Sequence, residues 1–209
     1  MKTDRNRNDS SVRKGKIAAV ILGAGGSRRL RRPKQLLQFH GKTLIVRVVE
    51  QAVGSGCDPV IVVTGAYAAH VMKELEHTAA QVVVNPDWQE GKGSSIRIGM
   101  GAACESSDLT GVVILACDQP LLPDDYVEKL IDCFRETGSP IVASRYDGTI
   151  GIPAFFSREL FPELLALSGD EGAKGIIAVH HTNVQSIEFP EGALDIDTEE
   201  DFVKLQSRG

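Results

Sequence analysis

Five apolar, largely β-branched stretches constrain the fold of this chain more than any other sequence feature. They are IAAVIL (17–22), PVIVVTG (59–65), QVVVN (81–85), GVVILACD (111–118) and PIVAS (140–144). Continuous apolar runs suit strands that are buried on both faces, as in a parallel sheet. Segments with helical patterns lie between them, and this alternation predicts βαβ units. We therefore predict an α/β chain with a Rossmann-like, three-layer αβα fold and a mostly parallel sheet.

Helix signals follow the predicted strands. Thr43 is placed to cap a helix that runs to Gly54, and Ser94 or Ser95 to cap a helix over 95–105. Pro123 suits the start of a helix over 123–136. Further helices are predicted at 66–76, 157–167, 172–180 and 198–206, and a strand at 184–189. IGIPAFF is predicted to be an edge strand, because Pro153 cannot donate to a ladder.

Length and composition set the domain organisation. The 209 residues suit one domain. Residues 1–16 hold six Lys or Arg and two Asp with almost nothing apolar, which predicts a disordered N-terminal arm, with a basic binding arm as the alternative. Residues 17–209 are predicted to form the single folded domain.

Charge and cysteine usage exclude several classes of partner. The net charge is -5 and aromatic residues make up only 5%, which argues against a nucleic-acid partner. No apolar run reaches about 18 residues, so no membrane partner is expected. The four cysteines include no CxxC pair, and the polar N-terminus resembles no signal peptide, so we expect a cytoplasmic protein.

The loop after the first predicted strand carries the strongest functional signal. In ILGAGGSRRLRRPKQLL (21–37), three glycines precede five cations within residues 28–34. Backbone amides and guanidinium groups at a strand end suit a triphosphate, the alternative being a solvated surface loop. The dinucleotide pattern GxGxxG fails at Arg28, and the Walker pattern fails at Leu36. The failed dinucleotide pattern argues against hydride transfer.

This loop resembles the signature L-x-A-G-x-S-x-R of the MobA-like nucleotidyltransferases, which is followed by a PK pair. The matching residues are Leu22, Ala24, Gly25, Ser27, Arg29 and Lys34. The resemblance implies that Leu22, Gly23, Ala24, Gly25, Gly26 and Ser27 wrap the nucleotide, while Arg29 and Lys34 bind its phosphates. Arg31 departs from the family, which usually has glycine there.

Acidic residues suit a metal site. Asp118 ends a predicted strand and is placed to hold Mg²⁺, with a turn-initiating role as the alternative. CDQP (117–120) resembles the metal-binding motif of the molybdenum cofactor cytidylyltransferase branch of this family. That resemblance implies that either Asp195 or Asp197 completes the site. The alternative is a solvated acidic face beside a Thr198–Asp201 cap.

Two further segments resemble the same branch. NPDWQEGKGSS (85–95) is implied to lie over the active site, with Asn85 and Ser94 as nucleotide contacts. An ordinary helix cap is the alternative. Trp88 would stack on a pterin if exposed, but would otherwise be packed. Residues 151–177 are implied to shape the second-substrate pocket, or to be purely structural. The five histidines show no metal-site spacing and are predicted to be non-catalytic.

Together these resemblances imply a Mg²⁺-dependent transferase, with residues 17–209 as its nucleotidyltransferase domain. It would move CMP from CTP to the phosphate of molybdenum-molybdopterin and release pyrophosphate, with Arg29, Lys34 and Asp118 as catalytic residues. A molybdenum hydroxylase would receive the cofactor. The alternatives are a sugar-phosphate or other small-phosphate nucleotidyltransferase, and a non-catalytic molybdenum-cofactor carrier, which Arg31 makes credible.

Overall fold

A computed structural model describes residues 15–207. The strands are β1 (Lys16–Gly23), β2 (Gln38–Phe39), β3 (Lys42–Thr43), β4 (Val60–Thr64), β5 (Gln81–Val84), β6 (Leu109–Ala116), β7 (Ile141–Tyr146), β8 (Thr149–Ser157) and β9 (Val184–Glu188). The helices are α1 (Leu44–Gly54), α2 (Ala68–Glu74), α3 (Lys92–Ala103), α4 (Tyr126–Thr137), α5 (Phe161–Ala166), α6 (Ala173–Val179) and α7 (Glu199–Gln206). Residues 1–14 of the predicted arm lie outside the described residues, and Lys16 belongs to β1 instead.

Seven strands form one sheet in the order β5-β4-β1-β6-β8-β7-β9, and β2 pairs with β3 in a separate ribbon. Every pairing in the large sheet is parallel except the two that β8 makes, with β6 and with β7. One buried cluster packs α1 and α4 against one face of the sheet. A second cluster packs α3, α5 and α6 against the other face. This confirms the predicted αβα fold with a mostly parallel sheet.

The edge-strand prediction for IGIPAFF is wrong, because β8 lies between β6 and β7. The proline is tolerated there through a register shift. Ala143 pairs with Ala154 and Ser144 pairs with Gly151, so Ile152 and Pro153 form a bulge that the β7 ladder skips. A bulged residue needs no ladder donor, which removes the objection to an interior proline.

One predicted side-chain cap and two predicted helix starts need correction. The Thr43 hydroxyl donates to Glu74 (3.0 Å) instead of capping α1, although Thr43 does precede that helix. Helix α3 begins at Lys92, before both candidate serine caps. Helix α4 begins at Tyr126 rather than Pro123. The predicted Thr198 cap of α7 is present: its hydroxyl accepts from the Asp201 N–H, and the Thr198 N–H donates to the Asp201 carboxylate in return.

A third, smaller cluster holds two distant segments together. Leu30, Leu37 and Phe39 pack with Ile196 and with two residues of α7. This burial fixes the cation-rich loop after β1 against the acidic segment that precedes α7. None of the helices within residues 15–207 is long and apolar enough to cross a membrane.

Candidate active site

A cleft of about 420 Å³ opens at the carboxyl end of the parallel strands, where ligands bind in such sheets. The segments that follow β1, β5 and β6 supply most of its lining. The bulge of β8 adds Ile152, and the segment before α6 adds Asp170. Leu22, Gly23, Ala24, Gly25, Lys34 and Asp118, all predicted site residues, lie on its surface.

The loop of residues 23–27 directs its carbonyl groups into the protein. Each of these five oxygens accepts a hydrogen bond from a neighbouring group. The pairs are Gly23 and Gly25 with Gln35 Nε2, Ala24 with Ala66 N–H, Gly26 with Tyr67 O–H, and Ser27 with Arg31 N–H. Among the described residues, the N–H groups of residues 24–27 have no partner. The loop therefore offers free N–H donors, while each of its carbonyl oxygens already accepts one hydrogen bond, which suits a ligand rich in acceptor oxygens.

The position of Trp88 explains why residues 26 and 65 are glycines. A Cβ at Gly26 would lie 2.8 Å from the Cη2 atom of Trp88, and a Cβ at Gly65 would lie 2.7 Å from its Cβ. The indole is half-buried across these two loops and also lines the cleft. Trp88 is therefore packed, while one surface stays available to a ligand.

Lys34 lies at the centre of the charged groups. Its ammonium donates to Asp118 Oδ2 at 2.5 Å and to Asp197 Oδ1 at 3.1 Å. Burial alone would lower the pKa of this lysine, but attraction from Asp118 raises it above its ordinary value. Arg29 donates to the other carboxylate oxygen of Asp197. Both predicted phosphate ligands are thus paired with acids in this structure.

The acidic segment reaches Asp118 through the backbone as well. The N–H of Ile196 donates to the carbonyl of Asp118 (3.1 Å), which places Asp195 and Asp197 on either side of that contact. Partial loss of hydration, followed by repulsion from Asp118, raises the pKa of Asp195 to about 6, although the residue keeps an exposed surface. Arg32 pairs with Glu199 (2.6 Å) and further ties the two segments together.

Mg²⁺ fits this donor set only together with a ligand. No three metal-ligating side chains within residues 15–207 are close enough to form a ready site. Mg²⁺ is commonly held by one or two carboxylates plus substrate phosphates, however, rather than by an all-protein cage. Asp118 and Asp197 already converge on one cation, the Lys34 ammonium, and would repel one another without it.

Cys117 borders the same acids. Its thiol is buried, and burial raises its pKa to about 12, with a further contribution from Asp118. A thiol of this pKa stays protonated near neutral pH, so it is a poor nucleophile. None of the five histidines lines the cleft formed by the described residues.

The predicted nucleotide contacts of Asn85 and Ser94 do not fit the structure, since both side chains are fully buried and neither lines the cleft. Asn85 Nδ2 donates to the hydroxyls of Ser94 (2.9 Å) and Ser95 (3.0 Å), and its Oδ1 accepts from the N–H of Asp87. These bonds hold the 85–95 segment in shape. The neighbouring Ser95 lines the cleft instead.

The segment before α6 packs tightly on this loop. A Cβ at Gly93 would lie 2.6 Å from the Ser168 carbonyl, and the N–H of Gly93 donates to the carbonyl of Gly169. A Cβ at Gly91 would likewise come too close to the carboxylate of Asp170, and the φ of Gly91, 123°, also favours glycine. Asp170 thereby reaches the cleft from the region that was predicted to shape a second-substrate pocket.

Arg31 keeps the backbone conformation that glycine favours. Its φ is 57°, in the left-handed region, and its N–H donates to the Ser27 carbonyl. The departure from the family pattern thus leaves the turn in place, at the expense of backbone strain. The site also includes Gln35 and Lys92, which the sequence did not single out, and Arg28 and Ser95, which it noted as a loop cation and a helix cap without assigning them as site residues.

A donor-rich strand-end loop, paired cations and carboxylates in one cleft of an αβα sheet define a nucleotide-binding transferase site. Residues 19–184 match the MobA-like NTP transferase domain, so the chain belongs to that family of nucleotidyltransferases. It is 30% identical over 203 residues to nicotine blue oxidoreductase of Paenarthrobacter nicotinovorans, covering 90% of this chain and 96% of the relative. It is also 30% identical to purine catabolism protein PucB of Bacillus subtilis (strain 168), covering 89% and 94%.

Solved structures match this fold. The crystal structure of Rv0371c from Mycobacterium tuberculosis H37Rv matches with a TM-score of 0.80 and 31% identity, covering 92% of this chain and 97% of that one. A structure of Rv0371c in complex with manganese matches with a TM-score of 0.76 and 29% identity, covering 93% and 100%.

Proposed function

We propose that this chain transfers CMP from CTP to the phosphate of molybdenum-molybdopterin and releases pyrophosphate, in a Mg²⁺-dependent reaction. The observation that carries the proposal is the position of Lys34, held between Asp118 and Asp197 beside a loop with free N–H donors. Cations, free N–H groups and carboxylates at one strand end are what a metal-bound triphosphate requires.

The choice of CTP and of a molybdopterin-type substrate is supported by motifs. CDQP (117–120) and LSGDEGA (167–173) resemble the molybdenum cofactor cytidylyltransferase branch. In the structure both segments border the cleft, through Asp118 and Asp170. The half-buried indole of Trp88 offers an apolar surface in that cleft, which suits a flat pterin ring.

The reaction forms one bond and breaks one. An oxygen of the substrate phosphate attacks the α-phosphorus of CTP, and the bond from that phosphorus to the bridging oxygen of the β-phosphate breaks. The attacking phosphate is ionised at neutral pH, so no protein base is needed. Cys117, with its raised pKa, is not required as a nucleophile.

Lys34 and Arg29 bind the β- and γ-phosphates and neutralise the charge that builds up on pyrophosphate. The N–H groups of residues 24–27 hold acceptor atoms of the nucleotide and fix its orientation. Asp118, with Asp195 or Asp197, would hold Mg²⁺, which supplies charge neutralisation at the phosphate oxygens. Asn85 and Ser94 keep the opposite loop in shape without touching the nucleotide.

The experiment combines purified protein, molybdenum-molybdopterin and one NTP at a time, with and without Mg²⁺, and measures pyrophosphate release. We expect release with CTP and Mg²⁺, together with a CMP-modified cofactor in the mass spectrum. Release of pyrophosphate when a sugar phosphate is supplied in place of molybdenum-molybdopterin would overturn the substrate assignment. Binding of the pterin without any release of pyrophosphate would overturn the proposed catalysis and favour a non-catalytic molybdenum-cofactor carrier.

Two matched variants can determine whether Asp195 or Asp197 binds the metal together with Asp118. Asp195→Asn and Asp197→Asn remove one charge each with little change in size. Titration of Mn²⁺ in the presence of CTP, followed by electron paramagnetic resonance, reports metal affinity without turnover. The variant that weakens Mn²⁺ binding by about tenfold or more identifies the ligand, and two unchanged affinities would contradict a role for either residue.

A further inference from the structure

Gln35 has an unusual environment for a side chain that borders the cleft. It is fully buried, and its amide nitrogen donates to the carbonyls of Gly23 (2.8 Å) and Gly25 (2.9 Å). Its Oε1 atom is buried and has no partner among the described residues. The reverse amide orientation would place Oε1 against two carbonyl oxygens, so the hydrogen-bond network fixes the orientation described.

The unpaired Oε1 atom indicates that Gln35 acts through its amide nitrogen. A buried acceptor without a partner costs stability, so packing alone gives no reason for an amide here. The side chain acts through its two donor bonds. Those bonds engage two carbonyls of the glycine loop, whereas the N–H groups of residues 24–27 have no partner among the described residues and stay available to a ligand.

We propose that Gln35 is a positioning residue that sets nucleobase selectivity by engaging the carbonyls of Gly23 and Gly25, so that the loop presents its N–H groups to the base. This inference rests on the proposed function, since it takes the loop of residues 23–27 to face the base of a bound nucleotide. Gln35 itself contacts no nucleotide atom in this proposal.

Free N–H groups that face O2 and N3 of the base would distinguish the two pyrimidines, provided that position 4 (an amino donor in cytosine, a carbonyl acceptor in uracil) lies outside the loop. Cytosine presents adjacent acceptors at O2 and N3, whereas uracil carries a hydrogen on N3. Two backbone N–H groups can therefore pair with cytosine, but one of them would face the N3–H donor of uracil. A site built to pair with one pattern rejects the other, because its own polar groups are left unpaired.

The test measures dissociation constants for CTP and UTP, both with Mg²⁺, by isothermal titration calorimetry. Gln35→Met keeps the length of the side chain and removes both donor bonds, so the carbonyls of Gly23 and Gly25 become free to accept the N3–H of uracil. We expect wild type to prefer CTP, and Gln35→Met to reduce that preference by about tenfold or more.

The matched control is Gln51→Met. Gln51 is also a buried glutamine whose amide nitrogen donates to a backbone carbonyl, that of Leu122 (2.6 Å), but it does not line this cleft. The control should leave the CTP preference unchanged, even where it lowers stability. If Gln35→Met does not fold, Tyr67→Phe frees the Gly26 carbonyl and should lower the preference in the same direction.

Three results would overturn the inference in distinguishable ways. An unchanged CTP preference in both loop variants would remove Gln35 from base selection and leave the proposed function intact. An equal loss of affinity for both nucleotides would show that the loop reads phosphates instead of the base. A wild-type protein that binds CTP and UTP equally would contradict base reading and the CTP assignment together.

Discussion

The two sides of the cleft are held together by different interactions. The charged wall is formed by Lys34 and Asp118, which line the cleft, together with Arg29 and Asp197, which are joined to them by ion pairs between segments more than 80 residues apart. The hydrogen-bonded wall, the 85–95 segment, is organised by buried neutral groups around Asn85. A charged ligand can replace the partners in the first wall, whereas Asn85 and Ser94 in the second wall are fully buried and do not line the cleft. Substitutions in the two walls should therefore affect chemistry and stability differently.

Asp118→Ala tests the charged wall most severely. Loss of a central electrostatic group should reduce kcat by about 100-fold or more, with little loss of fold, since Asp118 is near the surface of the cleft. Steady-state pyrophosphate release measures the effect. Asp132→Ala, which removes an exposed aspartate on α4, is the control and should keep normal turnover. Normal turnover by folded Asp118→Ala would contradict the metal assignment.

Lys34→Ala should mainly weaken productive binding of the NTP. Charge-assisted bonds to phosphate contribute about 1.5–3 kcal/mol, so KM for CTP should rise by roughly 10- to 100-fold. Lys129→Ala removes an exposed lysine that pairs with Asp125 on the surface, and it should leave KM unchanged. Unchanged KM and kcat in Lys34→Ala would show that another group holds the phosphates.

Asn85→Ala tests the hydrogen-bonded wall. It removes the donor to the buried hydroxyls of Ser94 and Ser95 and the acceptor of the Asp87 N–H, so the free energy of unfolding in urea should fall by about 2 kcal/mol. The exposed Asn183→Ala should change it by less than about 0.5 kcal/mol. If the Asn85→Ala protein is as stable as wild type but does not bind CTP, Asn85 is a direct nucleotide contact, and its structural role is contradicted.

Arg31 gives the smallest expected effect. A left-handed residue other than glycine carries about 1–2 kcal/mol of strain, so Arg31→Gly should be more stable than Arg31→Ala by roughly 1 kcal/mol. Both variants lose the same charge, which isolates the backbone contribution. Thermal unfolding compares them, and an alanine variant at least as stable as the glycine variant would contradict strain at this position.

Local pattern was enough to predict the strands that place the site. The apolar runs of β1 and β6 predicted buried parallel strands, and the glycines and cations after β1 predicted the loop. Position in the sheet was harder. Pro153 has the local signature of an edge, and only the pairing of β7 with β8 reveals the bulge that admits it.

Side-chain partners could not be predicted from spacing. Asn85 and Ser94 are polar residues in a loop beside an active site, and only their mutual burial shows that they bond to each other. Gln35 was missed because it directly follows the conspicuous Lys34. Its role depends on two carbonyls 10 and 12 residues away in the chain. Such contacts arise from tertiary packing and produce no periodic pattern in the sequence.

The most direct test of the account is a thermal-shift titration of the purified protein with CTP, GTP, ATP and NADH, each with and without Mg²⁺. A ligand that binds only the folded state raises the Tm by mass action. The account predicts a Mg²⁺-dependent rise that is largest with CTP. A rise with NADH alone, or no rise with any NTP, would contradict a cytidylyltransferase site in this cleft.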